Sequence, residues 1–349
     1  MEGNMERYTW NEINDQPSVM QKTLQMLEEK VFEPVKKDTI LLFTGCGTSY
    51  YLACSAAKYY QKITGKPAAA VPASELILCP DEAIAKGSNY KIIIISRSGT
   101  TTEAVEAIKR VGEWANVSSL AVTCNEQSPL CTICNEAIVL SHINEKSVVM
   151  TQSFSAMLFS LQLYSAKMAG SAQAWNELDA VPHKMEEALL QSEKVKGLSE
   201  DQTREKVIYL GSGMYNGLAK EATLKLKEMT QTHCESYCSL EFRHGPISIA
   251  DSRTAIVLIG SSATVDYDVP LLEDCRRLGA SVYYIGPELS EKNQEKVTDA
   301  FLLPNGTTEH HLVLAMPYVQ KIAFFRAEWL GLNPDLPKNL TQVVNIPMR

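Results

Sequence analysis

The chain has no apolar run approaching the roughly 20 residues of a bilayer span, no block of basic residues and no leader pattern at its amino terminus. The first stretch, MEGNMERYTWNEINDQ, is polar and acidic rather than basic followed by apolar, so no secretion signal is expected and the cytoplasm is the expected compartment. The formal net charge is -8, which argues against nucleic acid or an anionic membrane as the main partner. Nine cysteines, an odd number scattered through apolar stretches (Cys46, Cys54, Cys79 and Cys275 among them), read as reduced, buried thiols rather than a disulfide framework. Cys131 and Cys134 have C-x-x-C spacing but no second ligand pair nearby. His233, Cys234 and Cys238 lack a fourth partner, so no metal is expected. No third glycine completes a dinucleotide fingerprint at Gly45-x-Gly, the third is displaced by one at Gly211-x-Gly-x-x-x-Gly217, and G-x-S-x-G is absent. NAD is therefore not expected, and no cofactor is part of the reading.

What is there is a repeat. The 349 residues suffice for two domains that need neither metal nor disulfide for stability. TWNEINDQPSVMQKTLQMLEEKVF has helical spacing and reads as an arm. DTILLF is a buried strand, Gly45 and Gly47 make a turn, and a helix follows from about Ser49 to Gln61. The strand KIIIIS and the helix after it continue the alternation, which predicts a parallel sheet covered on both faces. The second half repeats the plan: Gly45 matches Gly211 (211 - 45 = 166) and Glu75 matches Glu241 at the same offset. Ser96, closing KIIIIS, is matched with Ser262, closing TAIVLIGSS, again at 166. The expected division is an arm over 1–36, a first domain over 37–178, a helical linker over 179–205, and a second domain with a tail over 206–349.

The chemistry sits unevenly on the two copies. In the first, Ser96-Arg97-Ser98-Gly99-Thr100-Thr101-Thr102-Glu103 brings hydroxyls and backbone N–H groups to a helix start, where the dipole favours an anion. Gly45-Cys46-Gly47-Thr48-Ser49 is a second hydroxyl-bearing helix start. Helix capping would explain one such residue; the run exceeds what a cap needs and points to a phosphate monoester. The matching loop of the second copy, GSSATVDYD, carries acids that disfavour phosphate. That copy instead places Glu221, Lys225 and Glu228 at i, i+4 and i+7 on one helix face. A solvated face with ordinary ion pairs is the plain alternative. For a sugar phosphate, Glu228 can move a proton between adjacent carbons, Lys225 can balance the enediolate, and His244 can open the ring. His142, His183, His310 and His311 read as structural.

EINDQP, GCGTS, ASEL, SRSGTTTE, NEKSVVMTQSF, LKLKE, EFRHGP and NPDLPKNLTQVV occur in this order along nearly the whole chain. Together they resemble the sugar isomerase (SIS) domains, in a tandem similar to the isomerase part of glucosamine-6-phosphate synthase and to stand-alone aminosugar-phosphate deaminases and isomerases. The resemblance implies two flavodoxin-like three-layer αβα domains. It also implies phosphate binding by Ser49, Ser96, Ser98 and Thr101, with Gly47, Thr48 and Arg97 beside them. Glu145 and Val148 would surround the sugar, and Glu221 and Glu241 fall on family positions. Glu228 becomes the base, Lys225 its neighbour, and His244 a ring-opening group that reaches the neighbouring subunit of a homodimer. Gln342 stands at a lysine position of the family and Met150 at a serine position, which changes the handling of the sugar's substituents. Residue 2 is Glu, not a nucleophilic cysteine, and no glutaminase segment precedes the arm, so glutamine-driven synthesis is not expected. The expected activity is isomerisation of an aminosugar 6-phosphate through an enediol, with ammonia release. The alternatives are a deglycase of phosphorylated fructosyl-amino acids and a non-catalytic sugar-phosphate sensor.

Overall fold

A computed structural model describes residues 7–344 and Ile346; Glu2 lies outside these described residues. Two all-parallel five-stranded sheets organise the chain. The first contains β1 (Thr39–Gly45), β2 (Ala68–Pro72), β3 (Asn89–Ile95), β4 (Val117–Thr123) and β5 (Glu136–Val139), in the order β2-β1-β3-β4-β5. The second contains β6 (Lys206–Gly211), β7 (Cys234–Tyr237), β8 (Thr254–Ile259), β9 (Ser281–Gly286) and β10 (Asp299–Leu302), in the order β10-β9-β8-β6-β7. Read from the other edge, the two orders are the same flavodoxin-like winding. Nearly every residue of β1, β3, β8 and β9 is buried, which is why these strands are continuous apolar runs: helices cover both faces.

Among the described residues the chain divides into two compact units. One, built on the first sheet, comprises 18–144, 152–179 and Thr341–Val344 with Ile346. Its core packs Leu42, Ile92 and Ile94 against Leu76, Ala104 and Ile108. The other, built on the second sheet, comprises Arg7–Pro17, Glu145–Thr151 and Ala180–Leu340. There Ile208, Leu210, Ile256 and Leu258 pack with Phe242, Leu271 and Leu272. No helix of the described residues is long and apolar enough to cross a membrane.

The repeat holds in three dimensions and corrects one landmark. The helices Thr48–Thr64 and Tyr215–Thr230 both end on a left-handed residue, Gly65 and Gln231, and 231 - 65 = 166. By contrast, Ser96 N–H donates to Val122 O at 3.0 Å, and the residue making the same bond in the second sheet is Gly260, to Ile285 O at 2.9 Å. Ser96 therefore corresponds to Gly260 (260 - 96 = 164), not Ser262. Residue type had suggested Ser262; the backbone ladder decides the register. The cysteines are all free, but of the nine only Cys234 and Cys275 are fully buried, and Cys46, Cys54 and Cys79 are half-buried.

Candidate active site

In a sheet of this winding, ligands bind beyond the carboxyl ends of the strands where the order reverses, here between β1 and β3. Both hydroxyl-rich loops stand there. A Cβ on Gly45 would lie 2.7 Å from Ser49 Cβ and 2.9 Å from Ile95 O, so glycine lets the first loop turn tightly against the end of β3. Thr48 and Ser49 are buried at the start of the helix Thr48–Thr64, while Gly47 is exposed with φ of 53°. Burial pushes the Cys46 thiol up to about 12, with the Glu103 charge adding to it, so that side chain stays a neutral thiol.

The second loop is wound on itself. Ser96 Oγ lies 3.0 Å from Thr101 Oγ1 and accepts the Gly99 N–H at 3.1 Å. Ser98 Oγ accepts the Thr100 N–H at 3.2 Å and its hydroxyl at 3.0 Å. Gly99 has φ of 64°, and a Cβ there would lie 2.2 Å from Ser128 Oγ, so only glycine fits this turn. Thr101 precedes the helix Thr102–Val111 and Gly47 precedes Thr48–Thr64, yet neither helix has a side-chain cap bond. A side-chain cap bond from the preceding residue thus does not account for the hydroxyls at either start, and both starts lie at the anion-favouring end of a helix dipole. Asn125 Nδ2 donates to Ser98 O at 3.2 Å, and Thr123 Oγ1 to Arg97 O at 3.1 Å. These two supports were missed in the sequence, where only their place at the end of β4 marks them. Arg97 Nη2 donates to the backbone O of Gln342 at 3.4 Å, which brings the tail to this loop.

The charged cluster belongs to the other unit, on the helix Tyr215–Thr230. It is not a solvated face. The side chains of Lys225 and Glu221 are fully buried and that of Glu228 is 19% exposed, with Lys225 Nζ 3.2 Å from Glu221 Oε1 and 2.5 Å from Glu228 Oε2. Desolvation by itself would lower the Lys225 pKa, but attraction to Glu221 and Glu228 and hydrogen bonds to both outweigh it, and the ammonium is held above its ordinary value. The arrangement offers one partly accessible carboxylate whose neighbouring cation cannot be hydrated away.

The same unit holds Glu145–Thr151, where Glu145 accepts from Thr151 N at 2.8 Å and Thr151 Oγ1 at 3.1 Å, Val148 is half-buried and Met150 is buried. His244 and Glu241 are exposed on one turn, closed by the His244 N–H donating to Glu241 O at 3.0 Å. Of the remaining histidines, His142 Nε2 lies 3.0 Å from Thr23 Oγ1, and His311 Nδ1 accepts the Thr308 N–H at 2.9 Å, both structural contacts.

Fold and constellations together define a class: a duplicated α/β protein with hydroxyl-rich loops at the reversal point of one copy and a buried lysine–glutamate cluster in the other. The chain belongs to the SIS domain family, whose model matches residues 35–167 and 202–291. Glutamine–fructose-6-phosphate aminotransferase (isomerizing) of Methanothermobacter thermautotrophicus is 27% identical over 357 residues; the match covers 99% of this chain and 58% of that protein, so the chain spans well under two thirds of such relatives. The structure of glucosamine-6-phosphate deaminase from Thermotoga maritima superimposes with a TM-score of 0.78 at 26% identity, covering 97% of this chain and 99% of that one. The C-terminal domain of glucosamine-fructose-6-phosphate aminotransferase from Francisella tularensis has the same fold, with a TM-score of 0.85 at 23% identity over 97% of this chain and all of that one.

Proposed function

We propose that the protein is a phosphosugar isomerase acting on an aminosugar 6-phosphate, which it converts from aldose to ketose with release of ammonia. The observation that carries this reading is the buried Glu221–Lys225–Glu228 cluster, because a sensor of sugar phosphates needs the hydroxyl loop but no carboxylate–ammonium pair. Ser49, Ser96, Ser98 and Thr101 are assigned to the phosphate, with Gly47, Thr48 and Arg97 beside them. Glu145, Val148, Glu221, Glu241 and Gln342 are assigned to the sugar and its surroundings. His244 opens the ring, and Glu228 takes the proton from C2 of the open aldose and returns it to C1 while the Lys225 ammonium balances the charge that develops on oxygen. The product of that shift is the C2 imine; water adds to it, ammonia leaves, and the ketose phosphate remains. We assign His244 to the neighbouring subunit's site in a homodimer, a reading supported by its exposure on a turn.

The test is to offer the purified protein a panel of hexose, hexosamine and fructosyl-amino-acid 6-phosphates and to follow ammonia and products by mass. Ammonia with a ketose phosphate is expected. Interconversion without ammonia would make it a plain isomerase, amino-acid release a deglycase, and tight binding without turnover a sensor. Mixing Glu228→Gln with His244→Ala subunits should restore part of the activity that each lacks; no restoration would place His244 in its own chain's site or outside the reaction.

A further inference from the structure

The segment Glu145–Thr151 has no helix or strand of its own, so its backbone position depends on what its N–H and C=O groups bond to. Its main partner comes from far away in sequence. Glu12, in the helix Tyr8–Asn14 and only 6% exposed, turns Oε1 to two successive backbone N–H groups, those of Lys146 at 2.5 Å and Ser147 at 3.2 Å. Its Oε2 contacts Ser147 Oγ. The far end of the segment is fixed by Gln320, whose Nε2 donates to Thr151 O at 3.1 Å and whose Oε1 accepts from Gln16 Nε2 at 2.9 Å. Glu12 and Gln16 thus belong to one stretch, EINDQ, that reaches the segment directly at one end and through Gln320 at the other.

We propose that Glu12 is a positioning residue that sets the sugar-side segment by gripping the backbone at Lys146 and Ser147. The inference rests on the functional reading above, in which Glu145 and Val148 surround the sugar. A carboxyl buried here loses its water and recovers that cost only through the two amides and the Ser147 hydroxyl it meets, so the acid and the segment fix each other's positions. The proton inventory supports a specific form of the grip. Ser147 has one hydroxyl proton and two oxygens within reach, Glu12 Oε2 and Val149 O, the latter at 2.8 Å. A carbonyl cannot donate. If the carboxyl keeps its own proton, it donates to Ser147 Oγ, which passes its hydrogen to Val149 O, while Oε1 still accepts both amides. Burial pushes the Glu12 carboxyl upward, opposed by the Ser147 hydroxyl contact and the two backbone N–H bonds and reinforced by the nearby Glu145 charge. Glutamine supplies the same acceptor to the amides and a donor to Ser147 Oγ, with one further N–H.

The experiment compares Glu12→Ala, Glu12→Gln and wild type by backbone hydrogen exchange over 145–151 and by steady-state kinetics on the phosphosugar that the panel identifies. In Glu12→Ala, exchange at Lys146 and Ser147 should accelerate about 5-fold or more, as loss of a neutral hydrogen bond predicts. Turnover should fall about 10–100-fold, as for a displaced positioning group, with KM for the phosphate ester changing far less. Glu12→Gln should restore both readouts. Unchanged exchange in Glu12→Ala overturns the grip whatever the substrate. Faster exchange with unchanged turnover overturns the positioning role and leaves a structural tie. Should Glu12→Ala fail to fold, Ser147→Ala, which removes the hydroxyl relay alone, takes its place, and equal exchange in that variant and wild type counts against the arrangement. A wild type inactive on every sugar phosphate sinks the functional reading and the positioning role together, while exchange still decides whether the grip exists.

Discussion

The two sheets are wound identically, yet their reversal points hold opposite chemistry. At the helix following β1 stands Ser49; at the matching place after β6 stands Tyr215 (215 - 49 = 166). At the end of β3 stands Ser96, and at the end of β8 Gly260. In the second copy the hydroxyls there are bonded to each other and to an acid: Ser212 Oγ lies 2.5 Å from Ser239 Oγ, which donates to the buried carboxyl of Asp268 at 2.8 Å. The helices show the reverse exchange. Glu221, Lys225 and Glu228 correspond at the 166 offset to Ser55, Tyr59 and Lys62. One scaffold thus carries the hydroxyl-rich loops in one copy and the charged cluster in the other, because a flavodoxin-like fold leaves the side chains of its loops and helix faces free to differ.

This division can be broken from either side. The largest effect is expected from Glu228→Gln, which should lower kcat by about 1,000-fold while the phosphate ester still binds; loss of binding in proportion would make Glu228 a ligand of the sugar rather than a proton carrier. Lys225→Met leaves Glu221 buried without its cation, and a destabilisation of about 3–5 kcal/mol should appear in urea unfolding. A loss below ~1 kcal/mol would show that the cluster is hydrated in solution. Ser98→Ala with Thr101→Ala should raise KM about 10–100-fold at nearly constant kcat, the magnitude expected for lost hydrogen bonds to a charged group. Ser261→Ala with Thr264→Ala in the second copy should leave KM unchanged, and an effect there would erase the contrast between the copies.

The smallest effect concerns Asp268, whose carboxyl burial holds above its ordinary value against hydrogen bonds from Thr264 and Ser239. A raised carboxyl contributes stability that is full below its unfolded value and is lost as pH rises through the folded one. The urea midpoint of Asp268→Asn relative to wild type should therefore improve from pH 4 to pH 7. A constant difference across that range would mean that burial does not raise the Asp268 carboxyl above its unfolded value.

The apolar runs and their glycine punctuation made the alternating strands and helices readable, since a parallel sheet buried on both faces leaves a pattern that few other structures share. Hydroxyls at two helix starts marked the two loops at the first reversal point for a local reason. What escaped was non-local. The charged helix face was legible as a candidate catalytic cluster, but nothing in the order of residues shows that Lys225 is buried. The second reversal point was read two residues out of register because Ser262 matched Ser96 by type, whereas a backbone bond from Gly260 fixes the alignment. The dependence of 145–151 on Glu12 could not be inferred either, because the bonds span more than 130 residues and involve main-chain groups with no signature of their own.

The contact between Arg97 and the tail has its own consequence for sequence change. The guanidinium meets the main-chain oxygen of Gln342, an atom that every amino acid supplies. So far as this contact is concerned, position 342 is free to drift, and a lysine could give way to glutamine there without loosening the strap. The donor side is narrower, because a replacement for Arg97 must both donate a hydrogen and reach that oxygen from the loop.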